Sequence, residues 1–456
     1  MISLLPFLVS FVIGYLLCRI LLKETKSVNA FLYFFISIGT GLGISSFTTF
    51  LSFLLCNGFN PAAIWGLHTI LFVLLSAILY FSGTKIFPGP AIKSGNSPWI
   101  YLFCWGFFAA AAFVIYALAQ GHPFGEWDGW AIWNMKSRFL LLSSSRWADV
   151  STKLHWHTQP DYPLLLPFIN VWGWSLSHRP LTEIPLLVSV IFTVSCAGLL
   201  FGGLMYRINN PKAFLVCVAL ISLPAYIGLG TSQYADIILA YYLLATLIVL
   251  TSTVREKDNG CAYLAGLMLG FMSFSKNEGI VITLLLVGIT ILYLSFKESP
   301  RRAENLKLIK CLVMATALSL LPILIFKLFM TVPNRDIALT KFSESFPFLN
   351  WEGLCLTINF LGQELLGAHW HFLWPLAGAA IILGARQCFR GENKILSLFF
   401  VAYLLVVILV YLTTVNFDLL WRLSRTAQRI LFTLLPSFLF FVFYVSRQRE
   451  EEQKRQ

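Results

Sequence analysis

The chain reads as an all-α polytopic membrane protein: about thirteen transmembrane helices and a large extracytoplasmic loop carrying short interfacial helices. Three observations predict it. Of the 456 residues, 58% are hydrophobic and only 12% charged. Apolar runs of roughly 18 to 25 residues recur from end to end, each long enough to cross a hydrocarbon core of about 30 Å. Backbone polar groups inside lipid must be satisfied within the segment, so these runs are helices, and the alternating pattern of a membrane β-barrel is absent.

In order, the runs are 2–22, 30–55, 62–81, 98–119, 184–206, 213–230, 233–253, 261–275, 279–297, 308–330, 371–388, 394–414 and 428–446. The segment Met1–Leu22 lacks a basic leading region and a small-residue cleavage site, which predicts a retained first span. The whole chain is expected to form one integral membrane domain. Within it, 1–97 supplies three N-terminal spans, 98–446 the core, 120–183 an outer loop, and 447–456 a charged cytoplasmic tail.

Charge orients these spans. Placing Arg19, the connections 23–29, 82–97, 207–212, 254–260, 297–310 and 386–394, and the tail on one side collects 21 of the 33 basic residues and only 9 of the 21 acidic ones. The entire net charge of +12 then lies on that side. This is the positive-inside bias, with the N-terminus extracytoplasmic and the C-terminus cytoplasmic in the inner or plasma membrane. The charge is therefore topological, and no nucleic-acid partner is expected. The same parity treats 162–177, which is apolar enough to pass for a short span. A crossing there would invert every later basic loop, so the segment is expected to lie at the outer interface or to enter partway, with Pro163 and Pro167 near its start. Nine cysteines, scattered without metal or disulfide spacing, read as small apolar fillers.

Ionisable groups at the outer ends of the spans are the candidates for chemistry. Glu126 and Asp128 form an acidic-x-acidic pair just after the fourth span. A carboxylate there can take a proton from an attacking hydroxyl, or Asp128 can cap a helix over 129–142. Half of the 14 tryptophans fall between 127 and 174. Trp130 and Trp133, at i and i+3, are expected on one helix face, as part of an interfacial aromatic belt or as a platform for stacking a sugar. His155, His157, Glu126, Asp128 and Asp161 form a set able to take a divalent cation, although the spacing is not diagnostic. Asp236 opens a later span, and Lys276 and Glu278 occupy an outer turn, where a mutual salt bridge is the plainer reading. Arg422, Arg425 and Arg429 gather outside, against the usual preference of basic residues. Arg425 and Arg429, at i and i+4, are expected to project together toward a lipid phosphate or to snorkel to headgroups.

Taken in order, these residues resemble the GT-C superfamily of membrane glycosyltransferases, nearest its bacterial protein mannosyltransferase and aminoarabinose transferase branch. The resemblance covers residues 98–446 and rests on five steps: Glu126-Trp-Asp128, Gln159-Pro-Asp-Tyr-Pro-Leu164, Tyr234-Ala-Asp236, Ser275-Lys-Asn-Glu-Gly279 and Arg429-Ile-Leu-Phe-Thr-Leu-Leu-Pro436. Three spans precede the acidic loop where the family usually has one, and the proline-rich step is altered.

The resemblance implies an inverting transfer of a sugar from a polyprenyl-phosphate donor lipid to a glycan, lipid or protein acceptor at the extracytoplasmic face. Asp128 would act as general base, with Glu126 supporting it or binding a cation. Asp161, Tyr162, Tyr234, Asp236, Trp130 and Trp133 would contact sugar or acceptor, and Lys276, Arg425 and Arg429 the lipid phosphate. No nucleotide cofactor is implied, and a divalent cation stays open. Two rival classes also stay open: an O-antigen-type polymerase or ligase, and a lipid-linked sugar flippase or transporter. The transporter class is expected to show paired broken helices or an internal repeat, and neither is visible in the sequence.

Overall fold

A computed structural model describes residues 4–84, 98–153, 158–205, 208, 210–296, 302–332, 350–413 and 418–453. Among these residues every regular element is helical. Eight helices are long and apolar enough to cross a membrane, or ten if each of two bent pairs counts as one span. The remaining three predicted runs form shorter helices: Leu5–Leu21, Asn259–Ser275 and Leu373–Leu383. At 1.5 Å rise per residue the first two are about 25 Å long and the third about 16 Å, which is short of a full crossing. The chain is thus a multi-pass α-helical membrane protein.

The helix Ala235–Glu256 is the axis of the bundle, with every residue from Ala235 to Val254 buried. Around it pack Asn259–Ser275, Glu183–Met205 and Leu419–Gln453. The helices Pro61–Phe81, Pro98–Ala119, Asn277–Phe296 and Asn393–Leu412 lie outside this group and present Phe81, Phe113, Leu284 and Leu405 on their exposed faces. Lipid tails are as apolar as leucine, so close backbone approach and polar bonds between helices must supply the packing. Both are present. Leu5–Leu21 crosses Ala30–Cys56 at Gly14 and Gly41, where a Cβ on Gly41 would overlap the Ser10 carbonyl oxygen. One turn away the Ser10 and Ser45 hydroxyls meet at 2.7 Å. The Tyr241 and Tyr242 hydroxyls donate to the carbonyls of Phe35 (2.7 Å) and Gly39 (2.8 Å), tying the axis to the second helix.

Three elements differ from the sequence expectation, and a fourth takes one of its two alternatives. Of the two positions expected for 162–177, burial favours partial entry: all ten residues of Leu165–Trp174 are buried against neighbouring helices, and at about 15 Å the helix is too short to cross. The predicted continuous spans 213–230 and 308–330 are broken. Asn210–Ile221 and Pro224–Thr231 meet at 65°, and Arg302–Ser319 and Leu321–Met330 at 42°. Pro224 and Pro322 stand at the starts of the second segments, because a proline ring supplies no amide hydrogen and clashes with the preceding turn. Finally, the last helix begins at Leu419 rather than 428, which places Arg422, Arg425 and Arg429 on one continuous helix.

The Gly41 crossing can be tested directly. Gly41→Ala is expected to lower the thermal stability of the detergent-solubilised protein by about 1–3 kcal/mol, the usual cost of overpacking. Gly66→Ala, on a helix face with nothing near its added methyl, should be neutral or mildly stabilising. Equal melting of the two variants would refute the contact.

Candidate functional site

At one end of the bundle, five charged side chains from four regions of the chain converge. Arg429 is the hub. Its Nη1 donates to Asp128 Oδ2 at 2.6 Å and its Nη2 to Asp236 Oδ2 at 2.7 Å. Lys276 Nζ donates to the other oxygen of Asp236, Oδ1, at 3.0 Å and lies 2.8 Å from Glu278 Oε1. Asp236 is 1% exposed, whereas Asp128 and Arg429 keep 20% and 18% of their side-chain surface. The Arg429 guanidinium also lies over the Tyr234 ring, 4.6 Å from its centroid.

Local structure explains how each group arrives. Asp236 sits in the first turn of Ala235–Glu256, where the helix dipole favours an anion. Lys276 is the extended residue between Asn259–Ser275 and Asn277–Phe296. Asp128 is delivered by a loop zipped onto the turn that precedes Asp236. Glu126 N–H donates to the Ser232 carbonyl at 3.0 Å, and Asp128 N–H to the Tyr234 hydroxyl at 3.4 Å. The Gln233 side chain accepts from Asn134 Nδ2 at 2.6 Å and donates to the Pro123 carbonyl at 3.1 Å. Gly125 is required here: its φ is +74°, and a Cβ would press on the Ser232 carbonyl.

A second cluster adjoins the first through the turn 276–278. Asp161, 3% exposed, accepts from Asn277 Nδ2 at 2.6 Å. Lys327, brought in by the segment after the Pro322 break, donates to the Asp161 carbonyl at 2.5 Å and to Asn277 Oδ1 at 2.8 Å. From the other side, buried Lys136 donates to the carbonyls of Gln159 (2.7 Å) and Tyr162 (3.0 Å). Burial pushes the Lys136 amine down to about 7, opposed by the Asp161 carboxylate and assisted by the Lys327 charge. A neutral amine still has the two N–H bonds that these carbonyls need.

The sequence candidates separate accordingly. Asp128, Tyr234, Asp236, Lys276 and Arg429 meet in the first cluster, and Asp161 and Tyr162 belong to the second. Asp128 does not cap a helix with its side chain, which turns to Arg429. Glu126 lies apart, 55% exposed and 3.5 Å from His122 Nδ1. Arg425, one turn before Arg429 on the same helix, is exposed and makes no bond to the network among the described residues. Trp130 and Trp133 do not share a face. Residues 129–134 wind as a π-helix, whose wider turn shifts i+3 off the face of i. Trp130 is exposed against Trp127, while Trp133 is fully buried and stacked on Tyr162 at 5.6 Å. His155 and His157 lie outside the described residues; among the described ones no three His, Cys, Asp or Glu side chains gather as a metal site. Lys136, Asn277 and Lys327 were not singled out from sequence. The two lysines carried a signal, being basic groups on the side that the charge bias leaves poor in them.

The fold and site together define a multi-pass α-helical membrane protein with a buried ion network at one end of its bundle. Comparison with protein-family models, curated proteins and solved structures finds no match to this chain.

Two outcomes follow. Arg429→Gln leaves Asp128 without its cation and Asp236 with Lys276 alone, and is expected to cost about 3 kcal/mol, read as a lower thermal midpoint. Arg429→Lys should recover only part, since a single ammonium cannot fork to both carboxylates. Lys136 sets a pH dependence. Its folded value lies below that of the unfolded chain, so the unfolded state binds more protons from pH 7 to about 10 and stability rises across that window, by at most about 1.4 kcal/mol per pH unit. Lys136→Met should flatten the rise; parallel melting curves for the two proteins would refute the assignment.

Proposed function

We propose that the protein is a membrane glycosyltransferase that moves a sugar from a polyprenyl-phosphate carrier to an acceptor hydroxyl at the extracytoplasmic face of the inner or plasma membrane, with inversion. The observation that carries this reading is the single guanidinium of Arg429 shared by Asp128 and Asp236 at the end of the bundle. It joins three of the five sequence steps on which the GT-C resemblance rests, and Lys276 adds a fourth.

In the proposed reaction, the acceptor oxygen attacks the anomeric carbon as the carbon–oxygen bond to the carrier phosphate breaks. The acceptor proton passes to Asp128, and the phosphate leaves with the electron pair of the broken bond. Arg429 has a role on both sides of this step. Before binding it neutralises Asp128; the donor phosphate, a stronger bidentate partner, draws it away and leaves the carboxylate free to accept the proton. Lys276 supplies a further positive charge toward the leaving phosphate, and Asp236 fixes both cations. The loop 158–162, held by Lys136, Lys327 and Asn277, positions Asp161 and Tyr162 beside the acceptor path.

A specific observation also favours a second reading, a lipid-linked sugar flippase. Both broken helices deliver site elements: Pro224–Thr231 leads into Tyr234 and Asp236, and Leu321–Met330 carries Lys327. Discontinuous helices at a polar site are a hallmark of transporters.

One experiment separates the readings. In a strain lacking the gene, surface glycans and polyprenyl-phosphate sugars are compared by mass spectrometry after complementation with wild type or Asp128→Asn at equal membrane levels. Transfer predicts that one glycan loses a single sugar, that its lipid donor accumulates, and that Asp128→Asn restores less than about 1% of wild-type activity, the loss expected for a general base. Full complementation by Asp128→Asn, with carrier lipid flipped normally in reconstituted vesicles, would sink the transferase reading and leave transport.

A further inference from the structure

The ion network holds more acid than base. Among the described residues two cations, Arg429 and Lys276, face three carboxylates, Asp128, Asp236 and Glu278. A further anion therefore enters by taking a place that one of these carboxylates gives up. Asp236 is not free to leave: its side chain is 1% exposed, with Oδ1 held by Lys276 and Oδ2 by Arg429. The other two are more open. Asp128 is 20% exposed and pairs with Arg429, and Glu278 is 36% exposed and pairs with Lys276. Along the network the charges alternate, with the buried carboxylate in the middle and an accessible one at each end.

Sharing Asp236 limits how far apart the two cations can lie. Each is within hydrogen-bond distance of one oxygen of the same carboxylate, so both fall within the span of one bridging anion. A phosphate presents two oxygens at a spacing close to that of a carboxylate and can bridge the pair as Asp236 does. Glu278 loses little by giving way. It lies in the first turn of Asn277–Phe296, where the helix dipole favours an anion with or without Lys276 beside it. An ion pair this open to solvent also adds little on its own.

We infer that Glu278 is a releasable counter-ion: it pairs with Lys276 until a phosphate ester bridges Lys276 and Arg429, and then yields its place. It is a positioning residue, and its role rests on the phosphate-carrier reading above. Glu278 competes with the phosphate, so removing its charge tightens binding. A carboxylate that only kept the turn 276–278 in shape would do the reverse.

The test is calorimetric binding to the full chain in an uncharged detergent, with farnesyl phosphate as probe and farnesol as its neutral control. Glu278→Gln is expected to bind farnesyl phosphate about three- to fivefold more tightly than wild type, the effect of one partly exposed ion pair, with farnesol binding unchanged. Glu278→Asp, which keeps the charge, should lie nearer to wild type. Arg429→Gln should weaken farnesyl phosphate binding about tenfold or more, which ties the phosphate to this site. Unchanged or weaker phosphate binding by Glu278→Gln, with Arg429→Gln still impaired, overturns the role of Glu278 and leaves the phosphate reading standing. An equal gain for farnesol also overturns it, since that gain would come from a loosened turn and not from charge. Wild-type affinity in Arg429→Gln overturns both, because the phosphate then binds elsewhere.

Discussion

The fork of Arg429 is the interaction on which the polar end of the bundle depends. Asp236 opens a helix whose first twenty residues are all buried, and an isolated carboxylate there would be very costly to desolvate. Two cations divide its oxygens: Arg429 takes Oδ2 and Lys276 takes Oδ1. A planar guanidinium can serve a second carboxylate with its other nitrogen, and Asp128 is held that way. The last helix, the axis and the loop after the fourth long helix are thereby joined across 193 and 301 residues of sequence. Such buried pairs add little net stability compared with a well-packed apolar alternative, because desolvation offsets most of the attraction. Their presence argues for geometry that serves a purpose other than folding.

The turn 276–278 then couples this network to its neighbour. Lys276 and Glu278 face one way and Asn277 the other, so three consecutive residues address Asp236 and Asp161 together. Gly279 fits the same logic, since a Cβ there would overlap the Met272 carbonyl and push the next helix away. The loop 158–162 has no regular structure of its own and is fixed by side chains reaching its carbonyls from Lys136, Lys327 and Thr331. The Pro322 break is not incidental: the segment beyond it brings Lys327 to this loop.

What the sequence disclosed was what composition and charge asymmetry control. The apolar runs locate the helices, and carboxylates or arginines at their outer ends stand out because lipid excludes such groups. Asp128, Asp236, Lys276 and Arg429 were legible for that reason. The rest depended on winding and depth, which periodicity does not carry. A π-helical turn over 129–134 separated Trp130 from Trp133. The segment 162–177 stayed open between an interfacial position and partial entry because apolar length alone cannot distinguish a helix on the surface from one sunk among others. Lys136 and Lys327 were overlooked because a lysine reads as solvated until its partners are known, and both bond backbone carbonyls, which every sequence has in equal supply.

The two carboxylates on Arg429 are not equivalent, and the difference has a direction. Asp236 is 1% exposed and neutralised by two cations, so losing Arg429 leaves it Lys276. Asp128 is partly exposed, stands at the very start of the helical segment that continues through 129–134, and faces one cation. An anion arriving from the open side meets the Arg429–Asp128 pair first and can displace Asp128 while the Arg429–Asp236–Lys276 arrangement stays whole. The buried half thus acts as a fixed mount and the exposed half as a replaceable contact. Any phosphate-bearing ligand of this site, whatever reaction follows, would take over the guanidinium nitrogen that Asp128 holds and release that carboxylate beside it.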